Sequence, residues 1–301
     1  MKNARYLPLL ICLLPGGQAF ADTPIDTSHP AAPTAHVSIS NVKGEVSVTA
    51  WDRNEVHVSG QLGDGAAPLT IQGSENNLTI NVQAPGHDGW FDWGGDKSMG
   101  PTTLDVNVPR GASVKVSVVS APASLDGING GDVQVNSVSG RVRINAKTPM
   151  LSVVTVSGNV AFSGRAEQAK LQTVSGDILA PSLGNTVDVQ TVSGHVQVGG
   201  GPWQQFNLST VSGDVQLTGG LAPGGNMSID SMSGDLQLQF PASLSSSLHA
   251  STFSGDLRTD FGTPKRPEHG PGSTLDTDAG SGDGKIHIET FSGDVRIRKQ
   301  D

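Results

Sequence analysis

The feature that most constrains the fold of this chain is a five-residue unit that occurs eight times. Each copy is an apolar residue, Ser-Gly, one variable residue and an aliphatic residue, as in Val138-Ser139-Gly140-Arg141-Val142. The serines are Ser139, Ser157, Ser175, Ser193, Ser212, Ser233, Ser254 and Ser292, so the steps between them are 18, 18, 18, 19, 21, 21 and 38 residues. A period of about 20 residues with two short strand-like segments is typical of a stacked, quasi-one-dimensional β architecture.

The alternation of apolar and polar residues changes phase at each unit. We interpret the change as lying between Thr191 and Val192, and at the matching place in the other repeats. This interpretation places Val192, Val196, Val211 and Val215 in the core, stacked coil on coil. A strand changes phase only at a bend or a bulge, and glycine tolerates the positive φ that a bend requires.

The composition of the bend decides between two β architectures. A two-residue hairpin favours Asn, Asp or Gly at its first position, and Ser-Gly does not fit that preference. The pattern therefore predicts an all-β protein, a parallel β-solenoid of roughly 18–21-residue coils with an N-terminal β cap region. An antiparallel β meander or sandwich is the alternative.

A hydroxyl residue comes two positions before the serine of every unit. We expect these side chains to face inward and to stack at about 4.8 Å, where a line of hydroxyls could satisfy its own hydrogen bonds. The eight residues are Ser137, Thr155, Thr173, Thr191, Thr210, Ser231, Thr252 and Thr290.

The first residues have the pattern of an export signal. Lys2 and Arg5 precede a short apolar stretch at 7–14, and Ala19-Phe20-Ala21 matches a cleavage site, so residues 1–21 are predicted to be a signal peptide. The apolar stretch is too short to span a bilayer. The expected location is the periplasm, or the cell surface or medium after secretion.

Composition divides the remainder of the chain into three parts. Residues 22–35 are proline-rich and predict a flexible leader, and residues 36–125 predict an N-terminal β region. Residues 126–301 contain the repeats, with a loop insertion at about 260–284 that accounts for the 38-residue step.

Charge limits the class of partner. Loss of Lys2 and Arg5 with the signal peptide changes the formal net charge from −9 to −11. Such an acidic chain is poorly suited to nucleic acid, and we expect no membrane insertion. The partners that remain are an envelope glycan or another envelope protein.

The chain resembles the bacterial adhesin-like β-strand-repeat family of unknown function, DUF4097. The resemblance rests on the serial V-S-G-D-[VIL]-x-[VL] units and on two segments near the N-terminus, residues 46–52 (VSVTAWD) and residues 106–110 (VNVPR). It covers nearly all of the predicted mature chain. It implies a β-repeat fold and an adhesin-like role, and it implies no catalytic residues.

Sequence signatures of catalysis and of cofactor binding are missing from the chain. It contains no G-x-S-x-G, no H-E-x-x-H and no G-x-x-x-x-G-K motif, and its eight histidines are scattered. We therefore expect a non-catalytic exported scaffold or binding module without cofactor or metal. The alternative is a carbohydrate-active β-helix enzyme that acts on envelope or extracellular polysaccharide.

Aspartate follows Ser-Gly in five of the eight units. These carboxylates either accept hydrogen bonds from turn amides, the common use of Asp beside Gly, or share a cation. The five residues are Asp177, Asp214, Asp235, Asp256 and Asp294.

One segment concentrates the aromatic residues. Trp90, Phe91 and Trp93 lie in a glycine-rich stretch with Asp88 and Asp92, and these five are the candidate ligand-binding residues, since aromatic rings stack on sugars and carboxylates accept hydroxyl hydrogen bonds. The structural alternative, which we expect, is an apolar plug over one end of the β body.

The C-terminal end of the chain is strongly basic. Arg296, Arg298 and Lys299 follow the last unit, and we expect them to form a charged edge that discourages stacking of a second molecule.

The change Trp90→Ala distinguishes the two interpretations of the aromatic segment. For a plug, it lowers the free energy of unfolding by about 3–5 kcal/mol, the usual cost of removing a buried aromatic side chain. For a sugar platform, it leaves the melting temperature nearly unchanged and removes the tryptophan fluorescence response to added glycan. Thermal melting and a glycan titration of both proteins measure the difference.

Overall fold

The computed structural model describes residues 23–83, 99–266 and 271–300, and in them the chain forms strands connected by turns. These residues include no helix that could cross a membrane. The strands are β1 (Thr23–Pro30), β2 (His36–Trp51), β3 (Glu55–Leu62), β4 (Thr70–Ser74), β5 (Asn77–Val82), β6 (Thr102–Pro109), β7 (Ser113–Ser120), β8 (Ala123–Asn129), β9 (Val133–Ser139), β10 (Val142–Ser157), β11 (Val160–Ser175), β12 (Ile178–Ser193), β13 (Val196–Ser212), β14 (Val215–Ser233), β15 (Leu236–Pro241), β16 (Ser246–Ser254), β17 (Leu257–Thr259), β18 (Ser273–Ala279), β19 (Gly284–Ser292) and β20 (Val295–Gln300).

The repeats form a parallel β-solenoid, which confirms the predicted fold. Each coil contributes one segment that runs into a Ser-Gly corner, such as 151–157, and one that leaves it, such as 160–166. We call the first set sheet I and the second set sheet II. Each segment pairs in parallel with its equivalent one coil away, as Val142 with Val160 and Val160 with Ile178. The antiparallel alternative is excluded for the repeats.

The last coil of the chain is not the last coil of the stack. Strand β19 lies between β14 and β16, and β20 lies between β15 and β17. The expectation that Arg296, Arg298 and Lys299 form an edge is therefore wrong. The chain first builds the outer coil, β16 and β17, and its C-terminal strands then pair on both sides inside the stack.

The N-terminal end has the same arrangement in reverse. Strand β2 pairs on one side with β5 and β6 and on the other with β7 and β8, all in parallel. Coil stacking thus extends into the predicted N-terminal β region. Antiparallel strands cover this end, with β3 on β6, β1 on β3 and β4 on β5.

Two segments that were expected to be irregular contain strands. Residues 23–30 of the expected flexible leader form β1, an edge strand whose register places Thr23 opposite Leu62. Pro24 and Pro30 are tolerated there because an edge strand leaves one side of its backbone without a ladder partner. Within the expected loop insertion, β18 pairs antiparallel with β16.

The core is a column of mainly aliphatic side chains between the two sheets, and the position of the phase change differs from the prediction. Val196 and Val215 are fully buried as expected, but Val192 and Val211 point outward, with 45% and 43% of their surface exposed. The phase change occurs at Ser-Gly and not before it. Gly194 has φ +127°, and a Cβ there would lie 2.3 Å from the carbonyl oxygen of Gly176.

The eight hydroxyl residues face inward as predicted, but they do not form a hydrogen-bonded line. A rung spacing of about 4.8 Å exceeds the reach of an O–H···O bond, about 2.5–3.0 Å. Thr191 donates instead to the carbonyl of Ser193, and Thr210 accepts from the amide of Gly213. Five have no side-chain hydrogen-bond partner among the described residues: Ser137, Thr155, Thr173, Ser231 and Thr290.

We expect two matched substitutions to separate these classes of hydroxyl. Thr173→Val should leave the free energy of unfolding unchanged or raise it by about 1 kcal/mol, because it removes a buried hydroxyl without a partner. Thr210→Val should lower it by about 1–2 kcal/mol, because the Gly213 amide loses its acceptor. Urea denaturation of both variants measures the difference, and a larger loss for Thr173→Val would contradict this account.

Candidate functional site

The outward residues before the corners form a continuous apolar line on sheet I. Because the strand alternates, a buried hydroxyl residue at one position puts the next residue on the outer surface. We call this line the apolar ridge. In stacking order it consists of Val138, Val156, Val174, Val192, Val211, Met232, Phe291 and Phe253, each between 42% and 61% exposed.

The ridge is long and regular because the coils are in register at the corners. Ser139 pairs with Ser157, Ser175 with Ser193, and Ser233 with Ser292, so the preceding apolar residues lie side by side. Eight rungs at about 4.8 Å span about 34 Å. On an ordinary protein surface, exposed apolar residues are scattered singly, and a continuous row of eight is unusual.

The ridge becomes aromatic at its C-terminal end. The rings of Phe253 and Phe291 stack with centroids 4.9 Å apart and planes 10° apart. Together with Val211 and Met232 they line an open groove of about 820 Å³, bounded by Pro271 where the chain returns toward β18.

The residues that follow each Ser-Gly, most of them aspartates, form a row along the corner side of the ridge. The side-chain oxygen Oδ1 of Asp214 accepts the amide of Asp235 at 3.0 Å, that of Asp235 accepts the amide of Asp294 at 3.1 Å, and that of Asp294 accepts the amide of Asp256 at 3.0 Å. Each carboxylate therefore caps the corner of the next coil. These contacts support the capping interpretation of the aspartate row.

The C-terminal half of the ridge has acidic side chains on both sides. Asp230 and Glu289 point outward on sheet I two residues before Met232 and Phe291, opposite the corner row. Within the described part of the chain, Asp230 and Asp235 form no ion pair. Asp256 pairs with Arg258 and Arg266, and Asp294 pairs with Arg296, so the negative charge beside the ridge that has no ion pair among the described residues lies at Asp230 and Asp235.

A separate ion pair joins the two N-terminal segments on which the family resemblance rests. Arg110 donates from Nε to Oδ1 of Asp52 at 2.8 Å and from Nη2 to Oδ2 at 3.0 Å. These hydrogen bonds, and then the positive charge of the guanidinium, lower the pKa of the Asp52 carboxyl. The pair connects the ends of β2 and β6, which are neighbours in parallel register.

A family model described as Toastrack DUF4097 matches residues 34–298. The chain belongs to this family. The match begins just before β2 and ends within β20, so it covers nearly all of the stack of coils described above.

Solved structures with a similar course of the chain come from three bacterial genera. A "putative adhesin" from Bacteroides fragilis is 11% identical, covers 93% of this chain and 98% of its own, and has a TM-score of 0.46. A "putative cell adhesion protein" from Clostridium sporogenes is 8% identical, with coverage of 92% and 100% and a TM-score of 0.28. A "putative lipid binding protein" from Parabacteroides distasonis is 13% identical, with coverage of 92% and 97% and a TM-score of 0.37.

These likenesses are too distant to carry an argument about function. No curated protein matches the chain.

The candidate ligand-binding residues named from the sequence, Asp88, Trp90, Phe91, Asp92 and Trp93, lie outside the described residues, and their role stays a prediction. The sequence-based prediction missed the ridge of this Toastrack DUF4097 chain, because it assigned the ridge side chains to the core. The signal was present in the sequence. An apolar residue directly follows each inward hydroxyl residue, and strict alternation would have placed it outside.

Two substitutions at Asp235 test the capping role of the aspartate row. Asp235→Asn keeps a side-chain oxygen and should change the free energy of unfolding by less than about 0.5 kcal/mol. Asp235→Ala leaves the Asp294 amide without its acceptor and should cost about 1 kcal/mol. The melting temperature of each protein is also measured with and without Ca²⁺. If both variants lose the same free energy of unfolding and the melting temperature depends on Ca²⁺, the aspartates share a cation instead.

Proposed function

We propose that this protein is a non-catalytic, exported, adhesin-like binding module of the bacterial envelope, and that the apolar ridge is its contact surface. The ridge itself carries the proposal, because an apolar line of about 34 Å is costly to leave in water and is typical of an interaction site. Its valine, methionine and phenylalanine side chains contain no nucleophile and no group that transfers protons at neutral pH. The signal-like residues 1–21 support export.

The partner that best fits the ridge is a protein surface with an apolar row flanked by basic side chains. Asp230 and Asp235, on opposite sides of Met232, are available to such a partner because neither has an ion pair among the described residues. A second copy of this chain that aligned its ridge with the first would bring its own Asp230 and Asp235 against them, and like charges at an interface oppose association. The larger side chains Met232, Phe253 and Phe291 make the C-terminal half the expected centre of contact.

Synthetic peptides can test both parts of this preference. The probe is a fluorescent amphipathic Leu/Lys helix of about 22 residues, which is as long as the ridge. Its counterparts are a Leu/Glu helix with the same apolar face and a Ser/Lys peptide with the same charge. We expect fluorescence anisotropy to show at least tenfold tighter binding of the Leu/Lys helix than of either counterpart.

Variants of the protein assign the binding to the ridge. Met232→Ser combined with Phe291→Ser should weaken binding of the Leu/Lys helix at least tenfold, while every charge of the protein stays in place. Leu179→Ser is the matched control, because Leu179 is 44% exposed but lies on sheet II. Equal binding by the ridge variant, or equal affinity for the Leu/Lys and Leu/Glu helices, would contradict the proposal.

The other possible occupants have separate readouts. Sedimentation velocity that shows a dimer dependent on Met232 and Phe291 would assign the ridge to a second copy. Ridge-dependent binding to glycan or to lipid vesicles, without binding of the Leu/Lys helix, would assign it to those ligands. Either result would overturn the protein-partner proposal.

A further inference from the structure

Two histidines and a glutamate meet on the outer face of sheet I. His249 on β16 is in register with His287 on β19, and their rings stack with centroids 5.0 Å apart and planes 8° apart. The ligand atoms of His249, His287 and Glu289 all lie within 4.8 Å of one another. We propose that these three side chains form a binding site for Zn²⁺.

The distances within the cluster suit a tetrahedral ion. Nε2 of His287 lies 3.1 Å from Oε1 of Glu289. Bonds of about 2.0–2.2 Å from zinc to nitrogen and oxygen place neighbouring ligand atoms about 3.3 Å apart. The side chains of His249 and His287 are 41% and 45% exposed, so both rings have room to rotate and close the site on an ion.

A fourth side chain orients one of the ligands. Oδ1 of Asp276 on β18 lies 2.6 Å from Nδ1 of His249. A carboxylate bound to one nitrogen of a metal-ligating histidine fixes the tautomer and turns the other nitrogen to the metal. In this arrangement Asp276 acts as a positioning residue and His249 binds through Nε2.

The donor set selects the kind of ion. Two imidazole nitrogens with one carboxylate favour zinc and similar transition metals over Mg²⁺ and Ca²⁺, which take mainly oxygen ligands. Three protein ligands leave one tetrahedral position for water or for a group of a partner. Asp230 is in register with Glu289, and the added negative charge further favours a cation.

The position of the site gives zinc a structural effect. His249 belongs to the outer coil and His287 to the inserted C-terminal coil, so one ion joins strands whose histidines are far apart in the chain. A bound ion would stabilise the C-terminal end of the stack, and this effect does not depend on what occupies the ridge.

Isothermal titration calorimetry on the untagged full chain tests the site directly. We expect one Zn²⁺ per chain, no comparable heat with Mg²⁺ or Ca²⁺, and a melting temperature that rises by roughly 5 °C when free zinc is 100 times the dissociation constant. His249→Gln and His287→Gln should each weaken zinc binding at least tenfold. Asp276→Asn should weaken it by about 10–100-fold, as for other residues that orient metal ligands.

The matched control is His195→Gln. His195 is an exposed histidine whose Nδ1 lies 3.9 Å from Asp214, and it is not part of the cluster. Its zinc affinity should equal that of the unmodified chain. Absence of zinc binding, or zinc binding unchanged in both His249→Gln and His287→Gln, would overturn the proposal.

Binding of Co²⁺ gives a second measurement, which separates loss of the site from loss of stability if a variant melts at a lower temperature without metal. Co²⁺ bound to the unmodified chain should give the intense visible absorption of a tetrahedral nitrogen and oxygen site. The weak spectrum of an octahedral aquo-like ion would count against the site.

Discussion

Parallel, in-register pairing of the coils is the constraint on which the rest of this structure depends. Every backbone segment of a coil is held by the coils above and below it, so one side-chain position repeats as a line along the stack. The backbone of every coil must therefore turn at its corner without breaking the hydrogen bonds to the neighbouring coils. Ser-Gly meets this requirement, since a Cβ at Gly194 would collide with the backbone of the preceding coil. Lines of identical chemistry follow: an inward line of hydroxyls, an outward line of apolar side chains and a corner line rich in aspartates.

The ends of the stack show how a repeat structure is closed. A terminal coil presents unpaired backbone groups, which promote association with other chains. In this protein the first long strand, β2, and the last, β20, both lie inside the stack and are paired on both sides. Antiparallel strands cover parts of the coils outside them, with β3 on β6, β4 on β5 and β18 on β16. The edge strand β1 contains two prolines, and β18 contains two aspartates. Separation of the end coils therefore requires the loss of two ladders at once.

Function in this architecture is a property of the lines that face outward. The apolar ridge and its acidic flanks come from the same register, so their spacing is fixed by the backbone and not by flexible loops. At the C-terminal end, the ridge phenylalanines and the histidine pair lie four residues apart on the same two strands. The insertion of β19 beside β14 also brings Glu289 next to Asp230, and the antiparallel return of β18 adds Asp276. A surface built in this way offers a partner a rigid, linear pattern.

The sequence by itself determined the solenoid, its coil length, the inward hydroxyls and the position of each corner, because these depend on local periodicity and on the backbone freedom of glycine. It also contained the outward direction of Val192 and Val211, which strict alternation after a buried Thr191 or Thr210 requires. The predicted phase change, between Thr191 and Val192, comes before the observed one at Ser193-Gly194, and this placed both valines in the core. Only the tertiary structure decided the order of the coils, because a repeat pattern does not state whether the last unit is added at the end of the stack or inserted within it. For the same reason, the pairing of Asp276 with His249 and the place of β20, with Arg296, between β15 and β17 could not be predicted. Both depend on contacts between segments that are distant in the chain.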